Sequence, residues 1–157
     1  MKHLESYINR LKSHGYKVTH QRLVVLDYLL NSLGHPSAEI IYNDLKEKYP
    51  TISLATIYNT LEMLTKVGLV LDLGAPEERR RFDGCLKEHC HFFCSNCGKI
   101  EDIEVPELPE VLARIRQTKY KHVDRYRLDF FGVCDECKPQ LALDNGQLAV
   151  NSQLSTQ

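Results

Sequence analysis

Two cysteine pairs constrain this chain more than any other feature in it. Cys94-Ser-Asn-Cys97 and Cys134-Asp-Glu-Cys137 each have CxxC spacing and bracket one stretch of the second half of the sequence. A CxxC turn aims both sulfurs at one point, and two such turns complete the tetrahedron that Zn2+ prefers, with Zn–S bonds of about 2.3 Å. One CxxC alone also fits a thiol redox pair, whereas two at opposite ends of one α/β stretch point to zinc. Four thiolates close the coordination shell and leave no open position, so Cys94, Cys97, Cys134 and Cys137 read as a structural site. Binding energies of such sites are on the order of 10–16 kcal/mol at neutral pH, and much of that stabilises the fold. Cys85 and Cys90 fall outside the quartet and read as small semi-buried residues.

The rest of the chain has two textures. Leu4, Ile8 and Leu11 recur at helical spacing in a short first helix that ends at Gly15. Thr19 caps a second helix with Leu23, Val24, Leu26, Leu29, Leu30 and Leu33 on its apolar face, closed by Gly34-His35-Pro36. Ser37 caps a third, with Ile40, Ile41 and Leu45 inward and Tyr49-Pro50 ending it. Ser53 caps a fourth from Leu54 to Val67, with Gly68 where a C′ glycine belongs. The period then becomes alternating, and Leu69 to Leu73 and Arg79 to Asp83 read as two strands around a Gly-Ala-Pro turn. That order is a winged helix-turn-helix with the fourth helix as recognition helix; a small helical bundle with an unrelated hairpin is the competing pattern. Further on, His89 to Phe93 and Lys99 to Glu104 read as strands joined by a cysteine knuckle. Pro106 to Thr118 holds a helix with Leu108, Val111, Leu112 and Ile115 inward. Tyr120 to Val133 reads as a long strand with Tyr126, Leu128 and Phe130 on one face. The segment from Pro139 is poor in charge and rich in Gln, Asn and Ser, and reads as disordered. The expected architecture is α+β: a winged-helix domain over 1–84, a zinc-stapled α/β dimerisation domain over 85–138, and a tail over 139–157.

Bulk properties narrow the class. With 157 residues, 43% hydrophobic and 26% charged, the chain is ordinary for a folded globular protein. No apolar run reaches the ~20 residues of a membrane span, and Met1-Lys2-His3-Leu4-Glu5 lacks a signal-peptide pattern, so a cytoplasmic location is expected. The net charge of −1 conceals an asymmetry: residues 1–81 carry 11 Lys/Arg against 9 Asp/Glu, residues 82–157 carry 9 against 12. Positive charge gathered in the first half is a mild sign of nucleic-acid binding.

A second set of ligand types lies beside the quartet. His89 and His91 are two residues apart, so on a strand both imidazoles face the same way. Asp83 and Asp102 offer carboxylate oxygen nearby. Taken singly, each His or Asp is ordinarily a surface or core residue; as a group they form a metal-ligand set. Mixed imidazole and carboxylate ligation suits Fe2+, Mn2+ or Zn2+ and does not choose among them.

These residues, with Lys17-Val-Thr-His-Gln-Arg22, His35-Pro-Ser-Ala-Glu-Ile-Ile-Tyr42, Ser53-Leu-Ala-Thr-Ile-Tyr-Asn59, Arg81-Phe-Asp83 and Cys94-Ser-Asn-Cys97-Gly-Lys99, resemble the ferric-uptake-regulator superfamily in order and spacing, from about residue 5 to 138. The resemblance implies a cytoplasmic homodimer that binds a double-stranded DNA operator, usually as a repressor. It implies no membrane partner, no small-molecule substrate and no enzymatic activity. It also adds His35 to the regulatory metal, giving His35, Asp83, His89, His91 and Asp102 as the implied ligands. Such a set joins the DNA-binding domain to the dimerisation domain, so bound metal would favour one relative orientation.

Within the superfamily the chain resembles the peroxide-sensing (PerR) branch more than the iron-uptake branch, because Asp stands at 83 and 102 where iron-uptake regulators usually carry Glu. In that branch bound Fe2+ reacts with hydrogen peroxide and a ligating histidine becomes 2-oxo-histidine; by position the targets here are His35 and His89. Three imidazoles and two carboxylates leave an octahedron one ligand short. The alternative within the family is an iron, zinc or manganese responsive repressor without peroxide sensing. The chain departs from the family pattern in places. His20 stands where Pro is common, and Cys90 between the paired histidines is unusual and offers thiol sensitivity. Tyr126 occupies the position of a histidine from a further regulatory site, which is therefore not carried over.

Helix-turn-helix geometry sends Ser53, Thr56, Tyr58 and Asn59 toward the major groove, where Asn pairs with adenine and Tyr meets a thymine methyl. By resemblance Lys17 and Arg22 approach the minor groove and backbone. Arg79-Arg80-Arg81 is either a phosphate clamp or a solvated basic run. Two other classes compete: a metallohydrolase, for which no general base or nucleophile motif is in evidence, and a zinc-stabilised interaction module without DNA binding.

Overall fold

Three hydroxyl side chains start the three central helices, as their sequence positions predict. Thr19 Oγ1 accepts the Arg22 N–H at 3.4 Å, Ser37 Oγ the Ile40 N–H at 3.3 Å and Ser53 Oγ the Thr56 N–H at 3.1 Å. Each bond satisfies an amide that the first helical turn leaves without a partner. The computed structural model describes residues 2–32, 34–74, 80–119, 121–123 and 126–138, which fall into two units that part between Glu88 and His89.

The first unit contains α1 (Lys2–Ser13), α2 (His20–Leu30), α3 (Ala38–Leu45) and α4 (Leu54–Val67), then an antiparallel ribbon of β1 (Leu71–Gly74) and β2 (Arg81–Asp83). Leu11, Val25, Leu26, Leu29, Ile41, Ile57, Leu61, Leu64 and Phe82 form one core. This is a helix-turn-helix followed by a wing, as the change of period predicts. The predicted turn at the tip of the wing and the predicted disordered tail lie outside the described residues. Gly68 ends α4 in the left-handed region at φ 69°, a conformation that costs any residue with a Cβ.

Two inward faces differ from their sequence reading. Helix α2 stops at Leu30, because Asn31 caps it and its side-chain amide donates to the Asp27 carbonyl at 2.7 Å. In α3 the buried stripe is Ala38, Ile41 and Leu45, and Ile40 is 41% exposed. An eight-residue helix buries one narrow stripe.

The second unit is built on β3 (Cys90–Cys94), flanked by β4 (Ile100–Ile103) and β5 (Asp129–Gly132) in the order β4-β3-β5. The β3–β4 pairing is antiparallel and the β3–β5 pairing parallel. Helix α5 (Leu108–Arg116) buries Leu108 and Leu112 against Cys90. The long strand read from Tyr120 to Val133 is four residues in the fold, since β3 offers a partner only from His91 to Cys94. Val111 and Ile115, expected inward, are 48% and 39% exposed: α5 covers the sheet with a single i, i+4 stripe. Among the described residues no helix is long and apolar enough to cross a membrane.

Gly84 follows β2 where the backbone passes the end of α2. A Cβ there would stand 2.7 Å from the Leu29 carbonyl oxygen, which is backbone and cannot step aside. Gly84→Ala is therefore expected to destabilise the first unit by about 1–3 kcal/mol, read as a lowered thermal midpoint. Gly34→Ala, with open space around its Cβ, serves as the control and should leave the midpoint unchanged.

Candidate metal centres and nucleic-acid face

The knuckle Cys94–Cys97 turns between β3 and β4, with the Gly98 N–H returned to the Cys94 carbonyl at 2.9 Å. The second knuckle turns just past β5, where the Cys137 N–H returns to the Cys134 carbonyl at 3.0 Å. Parallel pairing of Cys94 with Gly132 sets the knuckles side by side, and all four sulfurs lie within 4.8 Å of one another. The measured Cys97 Sγ–Cys134 Sγ separation is 3.9 Å; a tetrahedron with metal–sulfur bonds of about 2.3 Å has edges of about 3.8 Å. The quartet thus fits a zinc ion in size as well as in donor type. Amide N–H groups of Cys134 and Cys97 hold the Cys94 thiol down to about 6, while burial and neighbouring thiols push Cys134 up to about 12. Sulfurs this close cannot all ionise unless a cation shares their charge.

In the first unit, His35 and Asp83 bring a ring nitrogen and a carboxylate oxygen within 4.8 Å of each other. His35 is 3% exposed and Asp83 5%. Their meeting is arranged by the wing: Arg81 Nε donates to the His35 carbonyl at 2.5 Å and its Nη2 to the Gly34 carbonyl at 3.2 Å. The Phe82 N–H donates to the Pro36 carbonyl at 3.1 Å. His35 itself sits at φ 47°, a left-handed backbone that costs a non-glycine residue about 1–2 kcal/mol. The Arg81 side chain is thus committed to the loop that carries His35. Arg80 is bound to Asp72, so both guanidiniums read as phosphate clamps are engaged within the unit. Arg79 lies outside the described residues.

In the second unit, His89 and His91 approach through Nε2 at 3.0 Å. Two nitrogens in adjacent positions of a metal shell with bonds of about 2.1 Å are separated by about 3 Å. Asp102, paired with His91 across β3 and β4, holds Oδ1 3.5 Å from His89 Nε2 and 3.9 Å from His91 Nε2. The three donors face one point, and mixed nitrogen and oxygen donors of this kind fit Fe2+, Mn2+ or Zn2+. Cys90, between the histidines, turns to the opposite face and is fully buried against α5. Sequence reasoning missed Asp129, which the parallel register places beside His91 on the side away from Asp102. Its signal was present: an Asp alternating with Leu128 and Phe130 must point to the other face.

The nucleic-acid candidates gather on the first unit. One groove is lined by Lys17 and Arg22 together with Thr56 and Asn59, joining the segment before α2 to the N-terminal half of α4. Arg22 Nη1 donates to the Lys17 carbonyl at 2.5 Å, which fixes the approach of that segment. Ser53 is occupied as the cap of α4 and also meets Thr56 Oγ1 at 2.9 Å. Tyr58 is 41% exposed and donates its hydroxyl to Glu39, which raises the phenol above its ordinary value chiefly through that hydrogen bond.

Cys97→Ser is expected to abolish stoichiometric zinc and with it the cooperative unfolding of the second unit, since an ion shared by the two knuckles would hold β5 against β3. Metal analysis of the purified variant beside its melting curve checks this. A variant that stays fully folded without zinc would refute the structural role.

Comparison with known proteins agrees with this arrangement. Residues 13–131 match the family model described as the ferric uptake regulator family. The chain is 40% identical over 134 residues to the "Peroxide operon regulator" of Bacillus subtilis (strain 168), covering 85% of this chain and 92% of that protein. Among solved structures it is similar to the Campylobacter jejuni peroxide stress regulator, with 32% identity, a TM-score of 0.69, and coverage of 83% of this chain and 98% of that one. It is similar also to the Helicobacter pylori ferric uptake regulator Fur, whose structure is said to reveal three functional metal binding sites, with 28% identity, a TM-score of 0.73, and coverage of 86% and 91%. The chain belongs to the ferric uptake regulator family, whose members are transcription regulators rather than enzymes.

Proposed function

We propose that the chain is a metal-dependent transcription repressor that senses peroxide through bound Fe(II), acting in the cytoplasm as a homodimer on a double-stranded operator. Zinc takes the site of Cys94, Cys97, Cys134 and Cys137. The regulatory ion, Fe2+ or Mn2+, takes His35, Asp83, His89, His91 and Asp102. The observation that carries the reading is the triangle of His89, His91 and Asp102, with 3.0 Å between the two Nε2 atoms and an Asp as the carboxylate. Support comes from 40% identity to a protein named for peroxide response. Dimerisation through β5 is supported by its open strand edge and by Phe131, Phe130 and Leu128, which are 63%, 40% and 39% exposed. An ion held by ligands from both units would favour one arrangement of the chain over others. A tenfold gain in DNA affinity needs only ~1.4 kcal/mol of such coupling.

The first test is binding. The Mn2+-loaded protein is expected to bind its own upstream DNA with a steep salt dependence. A dimer neutralising roughly 6–10 phosphates has a log–log slope of about −0.9 per contact. His89→Ala and His91→Ala should lose this binding at any salt; retention of wild-type affinity by both rejects the metal switch. Asn59→Ala, at the groove, should weaken binding by about 1–3 kcal/mol.

The second test is oxidation. Bound Fe(II) supplies the one-electron chemistry with peroxide. The imidazole C2–H of His35 or His89 gains one oxygen atom, and the other leaves as water. The Fe2+-loaded protein treated with near-stoichiometric peroxide should gain that oxygen and release DNA, while the Mn2+-loaded protein stays bound. Asp102→Glu, longer by one methylene, should keep repression and blunt the response. Oxygen on Cys85 or Cys90 alone, with both metal forms releasing DNA, makes the protein a thiol switch. No oxidation at all makes it an iron or manganese sensor.

A further inference from the structure

The second unit contains a carboxylate that the proposed ligand set does not use. Asp129 begins β5 and pairs in parallel register with His91 of β3, while Asp102 pairs with the same histidine from β4. His91 therefore stands between two aspartates in one row across the sheet. Its backbone N–H donates to the Leu128 carbonyl at 3.3 Å, so the strand carrying Asp129 is tied to the strand carrying His91 at that point. The imidazole is almost wholly buried, and the Asp129 side chain is 12% exposed.

The two ring nitrogens face different neighbours. Nε2 faces His89 Nε2 at 3.0 Å and Asp102 Oδ1 at 3.9 Å. Nδ1 faces Asp129 Oδ1 at 3.6 Å, a separation that a small turn of the carboxylate closes to a hydrogen bond. The other Asp129 oxygen, Oδ2, receives Arg127 through Nε at 2.6 Å and Nη2 at 2.5 Å. The guanidinium orients the carboxylate, with Oδ1 left toward the histidine.

A neutral imidazole carries one ring proton, and a nitrogen that carries it cannot ligate a metal. For His91 to ligate through Nε2, its proton must sit on Nδ1, where a buried N–H needs an acceptor. Asp102 lies on the Nε2 side and pulls the proton the wrong way. Asp129 provides the opposing acceptor.

We propose that Asp129 is a positioning residue for the regulatory metal: its Oδ1 accepts the His91 Nδ1–H, fixing the tautomer that presents Nε2 to the ion, while Arg127 anchors Oδ2. The proposal rests on the reading of His91 as a ligand. Carboxylate partners behind ligating histidines are worth roughly 10–100-fold in metal affinity where they have been removed.

The test uses the full-length protein with its structural zinc retained. Mn2+ affinity is measured by electron paramagnetic resonance, and the His91 tautomer by nitrogen-15 NMR at alkaline pH without Mn2+. In the wild type His91 is expected as the Nδ1–H form. Asp129→Asn, equal in size, should lower Mn2+ affinity tenfold or more and shift His91 toward Nε2–H, with zinc content unchanged. Arg127→Gln should give a smaller loss in the same direction. Wild-type Mn2+ affinity in Asp129→Asn, or an Nε2–H tautomer in the wild type, overturns the proposal; the second result decides even if the variant fails to fold. His91→Ala separates the two claims: if it binds Mn2+ as well as the wild type, the ligand reading fails, and the positioning role with it.

Discussion

The parallel pairing of β3 with β5 is the constraint on which the second unit depends. Parallel neighbours cannot be joined by a tight turn, and four-residue strands contribute few hydrogen bonds to hold their register. The sulfurs do so instead. Cys94 ends β3 opposite Gly132, and the Cys134 N–H donates to Cys94 Sγ at 3.4 Å. Gly132 lets the strands lie close here, since a Cβ would stand 3.1 Å from the Phe92 ring and the ring would have to shift. Once that end is pinned, the register runs backward without freedom: Phe93 lies opposite Phe131, Phe92 opposite Phe130, and His91 opposite Asp129. Phe93 stacks on Phe131 at 5.0 Å between centroids and lies 6.3 Å from the His91 ring, while Phe92, on the other face, packs against the sulfur cluster.

Much of the fold and of both candidate centres was legible in the sequence because it is written in short-range chemistry. Caps at Thr19, Ser37 and Ser53 and the glycine at 68 are decided within four residues, and all appear where their spacing puts them. The CxxC pairs are equally local, and only their union needs the fold. What escaped was decided at long range. Whether Ile40, Val111 or Ile115 is buried depends on how wide a stripe the neighbouring element covers, which helical periodicity does not record. The length of β5 depends on where β3 begins. Arg81 reads in the sequence as one of three basic residues at a wing, yet its partners are carbonyls of residues 34 and 35, and no local rule links them. Asp129 was not singled out in the sequence at all, and only the parallel register brings it to His91.

The two units contribute different physics to the proposed regulatory site. In the first, His35 is held in a strained backbone by Arg81 and the wing, so its ring is placed by strain and hydrogen bonds to main chain. In the second, His91 and Asp102 are placed by strand register, with His89 one residue before β3 begins.

The shared strand also has a consequence for metal supply. Cys94 and His91 lie three residues apart on β3, and the register that brings Asp102 and Asp129 to His91 is pinned at its far end by the sulfur cluster. An ion in the quartet would therefore act on the proposed second pocket as well, through the strand that the two share. Zinc supply would then bear on the response to the second ion, although the two share no ligand.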